Sequence, residues 1–484
     1  MEQTVKQSRP IKVTAFAGWV VAMSGTFAVA AAEPTKEELV DQLRQLQEKV
    51  ARLESAQQGT AAKVDQVDAA LVGKTVTDVQ SDADRRSQLL QASGFTAGYS
   101  QGKFLIQSED GRFTLNPNVF LQLRYIANFR QESKNGVAES DDYENGFDVR
   151  RLKFAFDGNI FTKNLTYRFQ WNTNRTAGQP VLDEGWVKYF FEGTPFSVRA
   201  GTFLDGWDHE TAVSSKRQLA VERSVLHDVL AGGGNNSENY VQGVEVVYDD
   251  GGPFRASANY NDGFSSRNTI FTDSGGGSAL LGINNPQWGV SGRAEYKVFG
   301  DWKNYEDFTA LGTTKDLLVV GVGGSVDGSN NNNAYFHTVD VQWEPAAVKG
   351  LAAYAAYVGL ARDFRTVAAG ADGSPYDWGF VGQVSYLLDA QGQWEVFGRY
   401  SYTSLDDDAP TGTGTLGAAA RVSDHLHEFT VGANYYLRGH AAKFTLDLMY
   451  LPNGSPIDLN GAGILAQPND QDQFVLRGQF QLLL

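Results

Sequence analysis

The sequence predicts an all-β protein, a 16-stranded antiparallel transmembrane β-barrel with an N-terminal α-helical coiled coil. Three observations predict it. Apolar and polar residues alternate in strand-length runs from Gly94 to the last residue. The links between runs are short after most even-numbered strands and longer after most odd ones. Residues 37–71 follow a heptad spacing instead. The alternation is clearest over 147–173, FDVRRLKFAFDGNIFTKNLTYRFQWNT, where Leu165, Tyr167, Phe169 and Trp171 interleave with Thr166, Arg168, Gln170 and Asn172. A side-chain period of two puts one set in an apolar medium and the other in water. A soluble sheet shows the same rhythm in one or two hairpins. Its repetition some sixteen times, with charges on the inward faces, suits a barrel in lipid.

In chain order, residues 1–32 read as a signal peptide. Lys6, Arg9 and Lys12 precede an apolar core over 13–29 and a small-residue run at 28–32. An N-terminal anchor is the alternative. Over 33–73 the residues Leu39, Leu43, Leu46, Val50, Leu53, Gln57, Thr60, Val64, Val67 and Leu71 recur at spacings of four and three, the seam of a coiled coil. Polar outer positions leave this segment unable to form a core alone, so it reads as a self-associating periplasmic stalk or, alternatively, a single tethered amphipathic helix. Residues 74–93 form a polar linker, and 94–484 the barrel.

Within the barrel, strands are predicted at 118–129, 147–157, 165–173, 184–191, 196–203, 240–248, 254–260, 288–299, 316–324, 335–343, 351–359, 378–388, 394–402, 426–437, 442–450 and 474–484. Short links such as EGTP, DDGGP and RGHA fall on one rim, as the periplasmic turns of such barrels do. A β-sandwich has no reason to sort its loops by parity. Two links break the rule: 300–315 is long for the periplasmic rim, and 174–183 is short for the outer one. Trp and Tyr gather at strand ends, for example Trp171, Trp288, Trp343 and Tyr450, where amphipathic rings meet the interface. The final strand alternates to Leu484, where barrels of this kind usually end in Phe.

Charge and chemistry narrow the function. The formal net charge of -16 argues against nucleic acid as a partner, and the absence of Cys leaves hydrogen bonding to hold the fold. After residue 32 no apolar run reaches helix-spanning length. Strand phase turns Arg124, Arg151, Lys153, Arg168, Lys188, Arg199, Arg293, Lys297, Arg399, Lys443 and Arg477 inward against Asp157, Glu245, Glu295, Asp340, Glu395, Glu428 and Asp447. A net positive lumen in an acidic protein favours anions. Ion pairs that merely stiffen the wall are the alternative.

A barrel this wide needs something folded into its bore, and the long link 204–239 is the candidate constriction, with an external cap as the other reading. Its charged and titratable residues are His209, Glu210, Lys216, Arg217, Glu222, Arg223, His227 and Asp228. His209, His227, His425 and His427 read as solvated, the glycines 321–324 as a strand end, and no catalytic or metal motif or cofactor site is evident.

GFTAGYSQGKFLIQSEDGRFTLNPNVFLQLRY at 94–125, FDVRRLKFAFDGNIFTKNLTYRFQW at 147–171, LDEGWVKYFFEGTPFSVRAGTF at 182–203 and VERSVL at 221–226 resemble the opening of the phosphate-selective porin O and P family. The resemblance implies a homotrimer in outer-membrane lipid, an inward-folded third loop and passive diffusion of small anions, with a basic eyelet in the phosphate-selective members, for which Lys216, Arg217 and Arg223 are the nearest candidates. Arg150, Arg151 and Lys153 match its basic motif, and Glu222 with Arg223 its loop motif. The expected function is therefore an outer-membrane channel for small anions or polar solutes. A general or sugar-passing porin, with lumen aromatics such as Trp186, is the alternative within transport. A structural tether joining the membrane to cell-wall material through the coiled coil is the alternative outside it.

Overall fold

The computed structural model describes residues 37, 40–41, 43–55, 94–100, 103–130, 143–174, 177–233, 239–271, 276–278, 280–329, 332–365, 373–389, 391–407, 423–466 and 471–484. The signal and linker segments lie outside these residues, as do the seam positions Leu39 and 57–71. Two units are present, 1–88 and 89–484. In the first, residues 43–55 form a helix, α1, whose Leu43, Leu46, Val50 and Leu53 are all exposed.

The second unit is a closed all-β barrel. A hairpin of β1 (Phe95–Ser100) and β2 (Lys103–Ser108) leads into β3 (Thr114–Arg130), β4 (Tyr143–Asn159), β5 (Leu165–Thr173), β6 (Pro180–Phe190), β7 (Phe196–Leu204), β8 (Tyr240–Asp249) and β9 (Phe254–Asn261). A two-residue ribbon, β10 (Gly277–Ser278) with β11 (Ile283–Asn284), sits in the next loop. The wall then resumes with β12 (Trp288–Phe299), β13 (Leu317–Gly328), β14 (Asn332–Glu344), β15 (Leu351–Phe364), β16 (Tyr376–Leu387), β17 (Trp394–Ser404), β18 (His425–Tyr436), β19 (Ala442–Leu451) and β20 (Gln473–Leu483). Of the eighteen strands in the main sheet, all but β1 and β2 belong to the barrel, which leaves sixteen. Each pairs antiparallel with its neighbour, β9 meets β12, and β20 meets β3 from Gln473↔Arg130 to Leu483↔Phe120, so the wall has no free edge.

Of the two links that broke the length rule, the outer loop after β5 is shorter still than predicted, because β6 already starts at Pro180. The long link after β12 is no ordinary turn: it carries a helix, α3 (Trp302–Tyr305), whose Tyr305 is fully buried. The stretch before β3, read as the barrel's start, forms the separate β1–β2 hairpin, joined to β3 at Ile106↔Leu115. Glycines 321–324 stand inside β13 rather than at its end.

Three register shifts interrupt the alternation, one between Lys297 and Phe299 in β12 and two nearer the start of the barrel. Between Gln122 and Leu123 the partner strand carries one residue too many, Arg150, and between Gln170 and Trp171 the extra residue is Asp183. A bulge shifts the phase of the side chains by one. Both extra residues are buried, so each bulge delivers an additional charge beside an inward neighbour.

Candidate functional site: a plugged bore with one open wall

The loop segment from Asp205 to Gly233 enters the barrel and packs against one side of its wall. Almost every described residue from Asp205 to Gly233 is buried or half-buried. It has a core of its own: Trp207, Leu219, Val225, Leu226, Val229 and Leu230 pack on inward apolar residues of the wall, among them Phe336, Tyr354, Leu360, Val381 and Met449. Burying such a side chain contributes roughly 1.5–3 kcal/mol. Two wall glycines allow the approach. A Cβ on Gly323 would run into the Trp207 carbonyl oxygen, and one on Gly379 into the Leu226 side chain.

An irregular segment inside a barrel must satisfy its backbone, and here the wall's charges do so. The Val221 N–H donates to Asp447 at 2.9 Å and the Val225 N–H to Glu428 at 2.8 Å. Lys443 donates to the Gln218 carbonyl at 2.8 Å, Asn434 to that of Leu219, and Arg399 to those of Glu222 and Arg223. Within the loop, α2 (His209–Ala212) is capped by Asp208, which accepts from the Thr211 N–H and pairs with His227 at 2.9 Å. Arg223 donates to the carbonyls of Glu210, Thr211 and Val213.

The strongest tie is Glu222. Its buried carboxylate faces the guanidiniums of Arg124 at 2.8 Å, of Arg151 at 3.1 Å, and of Arg150. Arg124 also pairs with Asp148 at 2.7 Å. Burial alone would push the Glu222 carboxyl up. Arg150, Arg151 and Arg124 outweigh it and hold that carboxyl well below the usual carboxylate range. The Arg150 bulge is what makes this possible, since regular pairing cannot aim two successive arginines into one lumen. At the loop's entrance, burial pushes the Asp205 carboxyl up to about 6, against hydrogen bonds from Ser291 and Asn259.

The opposite wall, from β5 to β12, stays partly open. The side chains of Arg168, Arg199 and Arg255 keep 27%, 17% and 25% of their surface, where the Arg477–Asp447 pair keeps 0%. Along this lane five cations, Arg168, Lys188, Arg199, Arg255 and Lys297, stand with the carboxylates Asp157, Glu184, Glu245, Asp249 and Glu295. Lys188 and Lys297 form no ion pair among the described residues. Each instead sits over an aromatic ring, Lys188 over Phe190 and Lys297 over Trp302, at 4.9 Å. Arg199 lies over Phe203 at 4.3 Å and over Trp186 at 5.7 Å.

The residues singled out from the sequence therefore divide into two groups. Arg124, Arg151, Arg223, Arg293 and Arg399 are sealed in ion pairs or carbonyl contacts, and Lys153 is buried on Asp183 at 3.2 Å; none of these six is presented to water. Arg217, half-exposed, pairs with Glu306 at 2.9 Å, and the Lys216 carbonyl accepts from Gln481. Arg168, Lys188 and Arg199 line the lane. His209 and His227 are buried in the plug rather than solvated. Sequence phase missed Arg150 and Asp183 because of the bulges, and Arg255 and Glu184 although both alternate correctly. The plug's footprint has a signal too: β15, LAAYAAYVGLARDF, is apolar on both faces, and a lumen-facing apolar row needs a protein partner.

The chain's fold matches that of an anion-selective porin from Comamonas acidovorans, with 11% identity, 76% of this chain and 99% of that one covered, and a TM-score of 0.51. It is also similar to OprB of Pseudomonas putida (12% identity, 76% and 94% covered, TM-score 0.49) and to OmpF of Salmonella typhi in complex with daunomycin (13%, 80% and 100%, 0.48). No curated protein matches the sequence. Residues 119–455, more than half the chain, match the family described as phosphate-selective porin O and P. That match and the sixteen-stranded barrel make the protein an outer-membrane channel and a member of the phosphate-selective porin O and P family.

Proposed function

We propose that this channel passes small anions, phosphate among them, down their gradients along the lane between β5 and β12. The observation that carries this is the pair Lys188 and Lys297, two lane cations that form no direct ion pair among the described residues and sit over aromatic rings instead. A cation in a narrow passage beside low-dielectric walls raises local anion concentration and lowers the barrier to anion transit. The plug excludes solutes from the other half of the bore. Zero-current potentials across planar bilayers in a salt gradient test the reading: the expected sign is anion preference, and cation preference refutes it. A general porin is the second reading, favoured by the balance of five cations and five carboxylates; it gives a potential close to zero.

A homotrimer is part of the proposal. Supporting it is an outward apolar groove of about 820 Å³ across the closing seam, lined by Leu123, Tyr125, Phe147, Trp394, Tyr435 and Phe480. Phe147 there is 90% exposed. Such a face suits a second copy. The segment before the barrel is proposed as a signal peptide and a periplasmic coiled-coil stalk, the exposed seam of α1 being what a partner helix would cover. Trimer retention in detergent after deletion of residues 33–93 separates the contribution of the seam from that of the stalk.

A further inference from the structure

The link after β12 enters the barrel from the rim opposite the plug, and the two meet inside. The Tyr305 ring stacks on His209, the first residue of α2, with centroids 3.9 Å apart and planes 7° from parallel. Phe308 meets the same imidazole edge-on at 5.4 Å and continues to Tyr354 at 4.7 Å. Arg217 of the plug donates to both the carboxylate and the carbonyl of Glu306. Arg293 on the wall joins all three parts: it donates to the Trp207 carbonyl at 3.2 Å, to the Tyr305 hydroxyl at 2.8 Å and to Asp340 at 2.8 Å. Gln342 bridges in the same way, to His209 at 3.0 Å and to the Asp307 carbonyl at 2.6 Å.

The opposite face of this link borders the lane. Trp302 is half-buried, anchored by its indole N–H to the Gly252 carbonyl at 2.8 Å, with the Arg255 guanidinium 4.2 Å from its ring and the Lys297 ammonium 4.9 Å away. One short helix thus touches the plug with Tyr305 and the solute path with Trp302.

We propose that the periplasmic link 300–316 is a strut that sets the position of the plug, and that it supplies Trp302 as a second, periplasmic-side constriction of the lane. The inference rests on the channel reading above. Three features argue for support rather than incidental packing: stacked rings, a buried guanidinium shared by three elements, and bonds to the plug at both ends of the segment 209–217. Burial pushes the pKa of the His209 imidazole down, against the nearby carboxylates of Asp340 and Glu295. Support from below also accounts for a link too long for its rim.

The test is single-channel recording in planar bilayers on the full chain, with heat-modifiable migration as the check on the barrel. Wild-type conductance confirms the channel reading independently. Tyr305→Ala removes the stack and is expected to raise conductance roughly two-fold with added open-channel noise, while Tyr305→Phe, which keeps the ring, stays near wild type. Should Tyr305→Ala fail to fold, the exposed position 306 decides. E306R sets two cations against each other and is expected to raise noise, and R217E in the same chain to restore the wild-type trace. For the lane, Trp302→Ala is expected to raise conductance without added noise. Folded variants at 305 and 306 with wild-type traces overturn the strut, and an unaltered trace for Trp302→Ala overturns the constriction.

Discussion

Replacing Glu222 by glutamine removes one negative charge from a place where three guanidiniums converge. In the wild type, Arg124, Arg150 and Arg151 face Glu222 and Asp148, a cluster that carries one net positive charge. The neutral amide raises that to two and leaves at least Arg150 and Arg151 without their common carboxylate. Breaking a buried pair from one side costs about 3–5 kcal/mol. At about 1.4 kcal/mol per factor of ten, the balance between seated and unseated plug moves at least about 100-fold. The wall is untouched, so heat-modifiable barrel should still form. Planar-bilayer recordings should then show larger, noisier steps and a zero-current potential shifted toward anions. Glu222→Asp, with the charge kept on a shorter stem, should lie between. In the wild type the depressed Glu222 pKa gives the sign of the pH dependence: the tie is present above the ordinary carboxylate range and lost only far below it. Conductance set by this tie should thus be flat from about pH 8 to about pH 4.5. A Glu222→Gln channel with wild-type conductance, noise and selectivity would refute the reasoning.

Other positions report on separate parts of the same picture. Asp205, with its carboxyl raised to about 6, favours the seated loop fully below the ordinary Asp value, and that favour is lost as pH rises through 6. The shift corresponds to about 3 kcal/mol, so Asp205→Asn should quieten the channel at about pH 7.5 and abolish any pH dependence of its noise between about 4 and 7. Gly323→Val brings a side chain against the Trp207 carbonyl, a strain of about 1–3 kcal/mol on the plug's entrance, and should alter conductance while leaving the barrel's sheet signal by circular dichroism unchanged. Reversing both Lys188 and Lys297 to Glu should turn the sign of the zero-current potential; an unchanged sign would place selectivity elsewhere.

The barrel was legible because a period of two repeated sixteen times has few other uses, and parity of loop length told the rims apart. Strand ends moved by a few residues, as at β3, which starts at Thr114. The site was harder to read for a physical reason. Phase assigns a side chain to the lumen but says nothing of what meets it there, so Arg151 in the sealed half and Arg168 in the open half look alike. Bulges took Arg150 and Asp183 out of phase, since one inserted residue inverts the alternation that identifies inward positions, and Arg150 stood out only through the family's basic motif. The link after β12 was conspicuous only by its length, and a count of residues does not say which way a segment folds.

Because the plug occupies one side of the bore and the lane the other, the wall is divided into two territories under different demands. Inward side chains from β14 to β20 are buried in a packed interior, where changes of volume or charge threaten the seat of the loop. Those from β5 to β9 border water and can exchange one charged or aromatic group for another with little loss of structure. A channel built this way can acquire a new solute preference by changing a handful of positions on four or five consecutive strands, leaving the other arc, and the stability it provides, as it was.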